Sequence, residues 1–247
     1  MTGRHYNIDG QRLPSVTTIL TALANDGITA WKLRVGLAEA DRISKEATDY
    51  GTAVHLLFER INRNNRGPFG EPDDTVIAPY VAWYDKNVST VLGAERLCVS
   101  RRYGYAGTAD GIVVLNGDTN ATVIDLKTSK TPLGILEWRL QLAAYALALQ
   151  EDGITCERRI ILRMPKNEVG KLYVHELPAE YLEVDQRAFL AVLRIFQWHQ
   201  QQHPKPEPKG PRIRFRGRPF ESEIEARRAA KGYGWVVASS GIGGTDD

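Results

Sequence analysis

The chain has 247 residues, 43% of them hydrophobic, which is enough apolar matter for one sizeable core with embellishments. A formal net charge of +2 excludes a global field as the source of nucleic-acid affinity and leaves local clusters, with Arg101, Arg102, Arg158, Arg159 and Arg163 as candidates or as ordinary solvated strand edges. The two cysteines, Cys98 and Cys156, lie far apart without paired spacing, which argues against a zinc ribbon or a disulfide framework.

In chain order, the opening "MTGRHYNIDGQRLPSV" has no apolar signal core. The longest apolar run, Leu142 to Leu149, falls far short of the roughly 20 residues that cross a bilayer. No membrane partner is expected, and a cytoplasmic setting, bacterial or phage-encoded, fits. Ser15, after Pro14 and before "VTTIL", is placed as a helix N-cap, and a free helix N-terminus there would also attract a phosphate. Successive helices are expected from Thr17, Trp31, Thr52 and Thr75, with the turn-rich "NRNNRGPFGEPDD" separating the third from the fourth. In the third, Val54, Leu57, Phe58 and Ile61 recur at helical spacing, while His55 and Glu59, four apart, share another face. Alone, they fit a surface pair as well as a metal ligand with its orienting carboxylate.

The strand-rich middle is expected from about Arg96. Two β-rich runs, Gly111 to Leu115 and Ala121 to Ile124, flank the turn signal Asn116-Gly117-Asp118-Thr119 and predict an antiparallel hairpin. If Leu115 pairs with Asn120, Asp110 falls opposite Asp125 on one face, and a one-residue slip separates them. Asp125 and Lys127, two apart on a strand, also share a face. Two carboxylates about 4 Å apart repel by roughly 4 kcal/mol at an effective dielectric near 20. The trio therefore calls for a proton, a cation or both. Carboxylates, a backbone carbonyl (that of Leu126) and waters suit magnesium or manganese, and such a metal with a lysine beside it suits phosphodiester hydrolysis. A solvated ion cluster is the alternative for the trio by itself.

A helix is predicted over about Leu133 to Asp152, closed by Gly153, with Gln141 and Tyr145 one turn apart. Tyr145 fits a half-buried core aromatic as well as a site residue. Thr128, Ser129 and Lys130, directly after the second hairpin strand, suit phosphate contacts or a plain polar loop. Strands over Arg158 to Arg163 and Lys171 to Glu176 and a long helix over Ala179 to Gln202 complete a mixed core. From His203 the composition changes to a Pro-stiffened linker followed by Arg212, Arg214, Arg216 and Arg218, then a short helix over Glu221 to Lys231 and a disordered end from Gly241. That tail either contacts nucleic acid or is solvated.

"LPSVTTIL" near the start, "GTAVHLLFE" (Gly51 to Glu59), Gly107 to Asp110, Asp125 to Lys127 and Gln141 to Tyr145, in this order, resemble the RecB-like branch of the PD-(D/E)XK nuclease superfamily. Within it the likeness is to the mitochondrial genome maintenance exonuclease group and its phage and bacterial relatives. The resemblance implies an α/β (α+β) restriction-endonuclease-like core, a mixed β-sheet flanked by helices behind a helical N-terminal region. It implies one nuclease domain over 1–203, with a helical front at 1–94 and a sheet core at 95–203, and a Pro/Arg-rich extension at 204–247. It makes Asp110, Asp125 and Lys127 catalytic, with His55, Asp110, Asp125 and Leu126 holding Mg2+ or Mn2+. Glu59, Gln141, Tyr145, Thr128, Ser129, Lys130 and Ser15 support the site or touch DNA. Without four cysteines no iron–sulfur cluster is expected. The activity implied is a metal-dependent DNA exonuclease preferring single-stranded ends, in replication, recombination or repair, with a possible protein partner there. A DNA-binding recombination partner that does not cut alone and an endonuclease of the same superfamily stay open.

Overall fold

The computed structural model describes residues 3–23 and 26–202 and two short strands at 214–215 and 218–219. The chain separates into a unit at Met1–His199 and a second at Gln200–Asp247. Most of the basic tail, the helix expected over Glu221 to Lys231 and the expected disorder from Gly241 lie outside the described residues. Within the second unit, β8 (Arg214–Phe215) pairs antiparallel with β9 (Arg218–Pro219).

The first unit opens on a hairpin, β1 (His5–Ile8) and β2 (Gln11–Pro14), where helices alone were expected. The signal was present: Asp9-Gly10 is a hairpin turn, and both residues take the positive φ such turns need, 50° and 78°. Four helices follow: α1 (Val16–Leu20), α2 (Asp26–Val35), α3 (Leu37–Asn62) and α4 (Asp73–Asn87). The helix expected from Thr52 is the second half of α3, which runs unbroken from Leu37. Then come β3 (Val88–Ser100), β4 (Tyr105–Leu115), β5 (Ala121–Lys127), α5 (Ile135–Glu151), β6 (Cys156–Arg163), β7 (Tyr173–Leu177) and α6 (Leu182–Gln202). Strand β3 starts well before Arg96, with register shifts in its first half, between Val88 and Thr90 and between Val91 and Gly93.

One mixed sheet orders these strands β3-β4-β5-β6-β7, antiparallel throughout except for β5 and β6. A parallel pair cannot be closed by a tight turn, so α5 makes the crossover and is laid across the sheet. The molecule is thus α/β, with helices on both faces. On one face Leu142, Tyr145 and Leu149 of α5, Phe189 and Leu193 of α6, and Val16 and Ile19 of α1 pack over Ile112, Val123 and Ile161. On the other, Val54, Phe58 and Ile61 of α3 and Ile77 and Tyr80 of α4 cover Val113, Ile124 and Leu126. Strand β5 therefore alternates its side chains between two buried layers, and Asp125 belongs to the α5 side with Val123. Cys98 and Cys156 are free and buried in that layer, where loss of solvation pushes each thiol up to about 12. Among the described residues no helix is long and apolar enough to cross a membrane.

Candidate functional site

Pairing of β4 with β5 runs Gly111↔Ile124, Ile112↔Val123, Val113↔Thr122 and Val114↔Ala121. That is the register that carries Leu115 towards Asn120 and Asp110 towards Asp125. The ladder ends where the aspartates begin, because Asp110 Oδ2 accepts a 2.7 Å hydrogen bond from the Leu126 amide in place of backbone pairing. Both carboxylates are buried, Asp125 to 1% exposure.

Asp125, Lys127 and Gln141 form a closed triangle. Lys127 Nζ is 2.6 Å from Asp125 Oδ2 and donates to Gln141 Oε1 at 3.0 Å, while Gln141 Nε2 donates to Asp125 Oδ1 at 3.1 Å. The Gln141 amide also donates to the Tyr145 hydroxyl at 3.0 Å, so the residues one turn apart on α5 brace each other. Burial pushes Asp125 up to about 6, with Lys127 opposing and Asp110 adding to the rise. Burial likewise raises the Tyr145 hydroxyl well above its ordinary range, and the Asp125 charge reinforces it.

Helix α3 brings His55 from the opposite side, its Nδ1 3.4 Å from Asp110 Oδ2. Burial works against its imidazolium, but the hydrogen bond and charge of Asp110 outweigh it, and the pKa is raised. Glu59 lies one turn on and also lines the cavity, yet its carboxylate accepts from Arg63 Nε at 2.8 Å rather than orienting His55.

A further acid, Glu95 of β3, joins the site. Pairs Ala94↔Gly111 and Arg96↔Ala109 leave Glu95 across from Asp110. One ligand atom each of His55, Glu95 and Asp110 lies within 4.8 Å of the others. Glu95 holds φ at 49°, a left-handed conformation that a non-glycine residue keeps only where its surroundings impose it. Burial and the neighbouring Asp110 both raise its pKa. No sequence motif marks Glu95. The only available signal was the β3–β4 register, which is a long-range property.

These groups open into a cavity of about 750 Å3, also lined by Ser15, Thr128, Ser129 and Leu126. Ser15 is the N-cap of the five-residue α1, its Oγ accepting from Thr18 N at 3.0 Å, and capping accounts for it fully. Leu126 spends its amide on Asp110. The loop carrying Ser129 and Lys130 is shaped from below, since Arg163 donates to their carbonyls at 3.2 and 2.9 Å. Arg163 is therefore structural, and of the other candidate arginines Arg159 is buried too, while Arg158, Arg101 and Arg102 make surface contacts. Arg159 is buried against Asp185 at 2.7 Å, Arg158 bridges Asp118 and Glu176, and Arg101 pairs with Asp9. Arg102 lies over the Tyr103 ring.

The donor set fits a divalent cation. One imidazole and two crowded carboxylates converge, and a third carboxylate stands beside them with a lysine. Raised pKa values at Glu95 and Asp125 show negative charge held against its preference, which a cation would relieve.

No protein-family model matches the chain, and no curated protein matches it. Among solved structures, the chain is similar to SSO0001, with 14% identity, a TM-score of 0.34, and 73% of this chain and 72% of that one covered. It is also similar to the alkaline exonuclease LHK-Exo from Laribacter hongkongensis, with 15% identity, a TM-score of 0.33, and 63% of this chain and 85% of that one covered.

Proposed function

We propose that this chain is a divalent-metal-dependent nuclease that hydrolyses phosphodiester bonds in DNA, working as an exonuclease at single-stranded ends. The observation that carries the reading is the convergence of His55, Glu95 and Asp110 within 4.8 Å beside the Asp125–Lys127 pair, in one open cavity. Magnesium or manganese held there by His55, Glu95, Asp110 and Asp125 would polarise the phosphoryl group and acidify an attacking water. The chain's own contribution is positional. Asp125 and Gln141 fix the Lys127 ammonium at one point, where it offsets the charge that grows on the phosphate oxygens. Tyr145 keeps Gln141 from turning away. Thr128 offers a hydroxyl where the flanking strand would leave the site, while the Ser129 hydroxyl donates to the Thr131 carbonyl at 3.0 Å and shapes the loop.

Incubating end-labelled single- and double-stranded DNA with manganese, with EDTA, and with the Asp125→Ala chain tests this directly. Cleavage should require the metal and fall by about 100- to 1000-fold in the variant, the scale expected when a main electrostatic contributor is removed. Activity surviving the substitution would remove the proposed site. DNA binding without cleavage by the parent chain would favour a recombination partner instead. Circular single strands should resist an exonuclease, and their cutting would move the assignment to an endonuclease.

A further inference from the structure

The cavity is lined by four carboxylates, Glu59, Glu95, Asp110 and Asp125, and an anionic strand entering it meets their repulsion. Two permanent cations line the same cavity, Arg4 and Lys127. Lys127 is committed to Asp125 and Gln141. Arg4 is different: it is exposed, its charge reaches Glu95 and partly opposes the burial-driven rise of that acid's pKa, and among the described residues no carboxylate comes within ion-pair distance of it.

The β1–β2 hairpin holds Arg4 in place. Its carbonyl accepts from the Ser15 amide at 3.0 Å and from Thr18 Oγ1 at 3.0 Å, which ties the start of β1 to the cap of α1. Its guanidinium lies 4.9 Å above the Tyr6 ring, and the Tyr6 hydroxyl is hydrogen-bonded to Thr108 Oγ1 at 2.9 Å. Thr108 belongs to the same strand as Asp110. A chain of contacts thus fixes a planar, five-donor cation, its guanidinium in no close ion pair among the described residues, relative to the acidic centre. Stacking on a tethered tyrosine restricts its rotamers in advance of any ligand, so less entropy is lost on binding.

We infer that Arg4, seated on Tyr6 at the lining of the same cavity, is a phosphate clamp: it binds a backbone phosphate of the nucleic-acid strand next to the scissile one. This rests on the nuclease reading and deepens it, giving the N-terminal hairpin a part in holding substrate. A guanidinium fork meets two phosphate oxygens at once, a match that the Lys127 ammonium does not offer. Arg4 is thereby a binding residue, with no part in the chemical step.

The full-length chain and its Arg4→Ala, Arg4→Lys and Tyr6→Phe variants test this on a labelled single-stranded oligonucleotide. Cleavage is followed with manganese, and affinity with calcium across a salt titration. Arg4→Ala should raise KM and Kd about tenfold, the loss of one charge-assisted contact, with kcat nearly unchanged. It should also flatten the slope of log K against log salt by about 0.7, as one phosphate contact to a single strand predicts. Arg4→Lys should keep the slope and recover part of the affinity, and Tyr6→Phe should fall between. Replacing phosphates one at a time by neutral methylphosphonate supplies a readout that misfolding does not imitate. One position should weaken the parent chain as much as Arg4→Ala does, yet cost the Arg4→Ala chain nothing further. Unchanged KM and salt slope in Arg4→Ala, or a methylphosphonate profile identical in parent and variant, would overturn the clamp while the parent's cleavage leaves the nuclease reading standing. A parent chain that neither cuts nor binds would remove both.

Discussion

Asp125 sits in the folded chain as an acid that holds its proton more tightly than a free aspartate does. Its carboxyl is pushed up to about 6 by burial, against an ordinary aspartate value near 3.9. A group whose folded pKa lies above its unfolded one stabilises the fold below the unfolded value, and that contribution is lost as pH rises through the folded value. Without metal, stability should therefore decline between about pH 4 and pH 7, and Asp125→Asn should remove the decline. Denaturant titration in EDTA should find the variant equal to the parent at about pH 4 and more stable near pH 8, by on the order of 3 kcal/mol. An unchanged pH profile would mean that Lys127, not burial, governs Asp125. Glu95 shares the same tension, and calorimetry with manganese should show Glu95→Gln binding the ion on the order of 10–100-fold more weakly. The two residues differ in how legible they were. Asp125 announces itself as a charge ending an apolar strand, Thr122-Val123-Ile124, whereas Glu95 acquires meaning only when β3 is laid beside β4.

Between elements, β4 and α5 approach closely at the site, and Gly107 makes that approach possible. A Cβ built there would stand 2.4 Å from Tyr145 Cε1 and 3.1 Å from Val16 Cγ2. Gly107→Ala must therefore displace Tyr145, and with it the amide that positions Lys127. Overpacking of this kind costs about 1–3 kcal/mol, and thermal denaturation should show that loss together with a fall in kcat. Tyr145→Phe separates the two effects. It keeps the ring and deletes only the hydroxyl that accepts from Gln141, so kcat should fall with a stability change of about 1 kcal/mol. Equal kcat in Tyr145→Phe and the parent would show that packing, not the hydrogen bond, is what α5 supplies. The β4–β5 register and the Gln141–Tyr145 face were readable in advance, because a turn signal and a one-turn spacing are local properties. The early start of β3 was not. Its first half is irregular and only partly buried, so neither strand alternation nor a continuous apolar run marks it.

Across the whole molecule, a parallel step between β5 and β6 forces α5 over the sheet, and α6 then closes the same face from the C-terminal side. Charge fastens that closure. Arg159, fully buried on β6, and Arg139 of α5 both reach Asp185 of α6, at 2.7 and 2.9 Å. The mixed sheet and its flanking helices were legible from alternating patterns, but composition cannot distinguish a buried arginine from an exposed one, and Arg159 read as a nucleic-acid candidate or a solvated strand edge for that reason. A buried pair costs desolvation on both sides and is often replaceable by apolar groups, whereas breaking one side strands a buried charge. Asp185→Ala should therefore lose about 3–5 kcal/mol in equilibrium denaturation, with Arg159 left uncompensated inside the core. Asp185→Leu combined with Arg159→Met should recover most of that loss, since it removes the stranded guanidinium and fills the space with carbon. If the double variant is as unstable as Asp185→Ala, the triad of Arg139, Asp185 and Arg159 holds α6 by hydrogen-bond geometry that packing does not replace. Nuclease assays on the double variant then report whether the seating of α6 reaches Gln141, which lies two residues from Arg139 on the same helix.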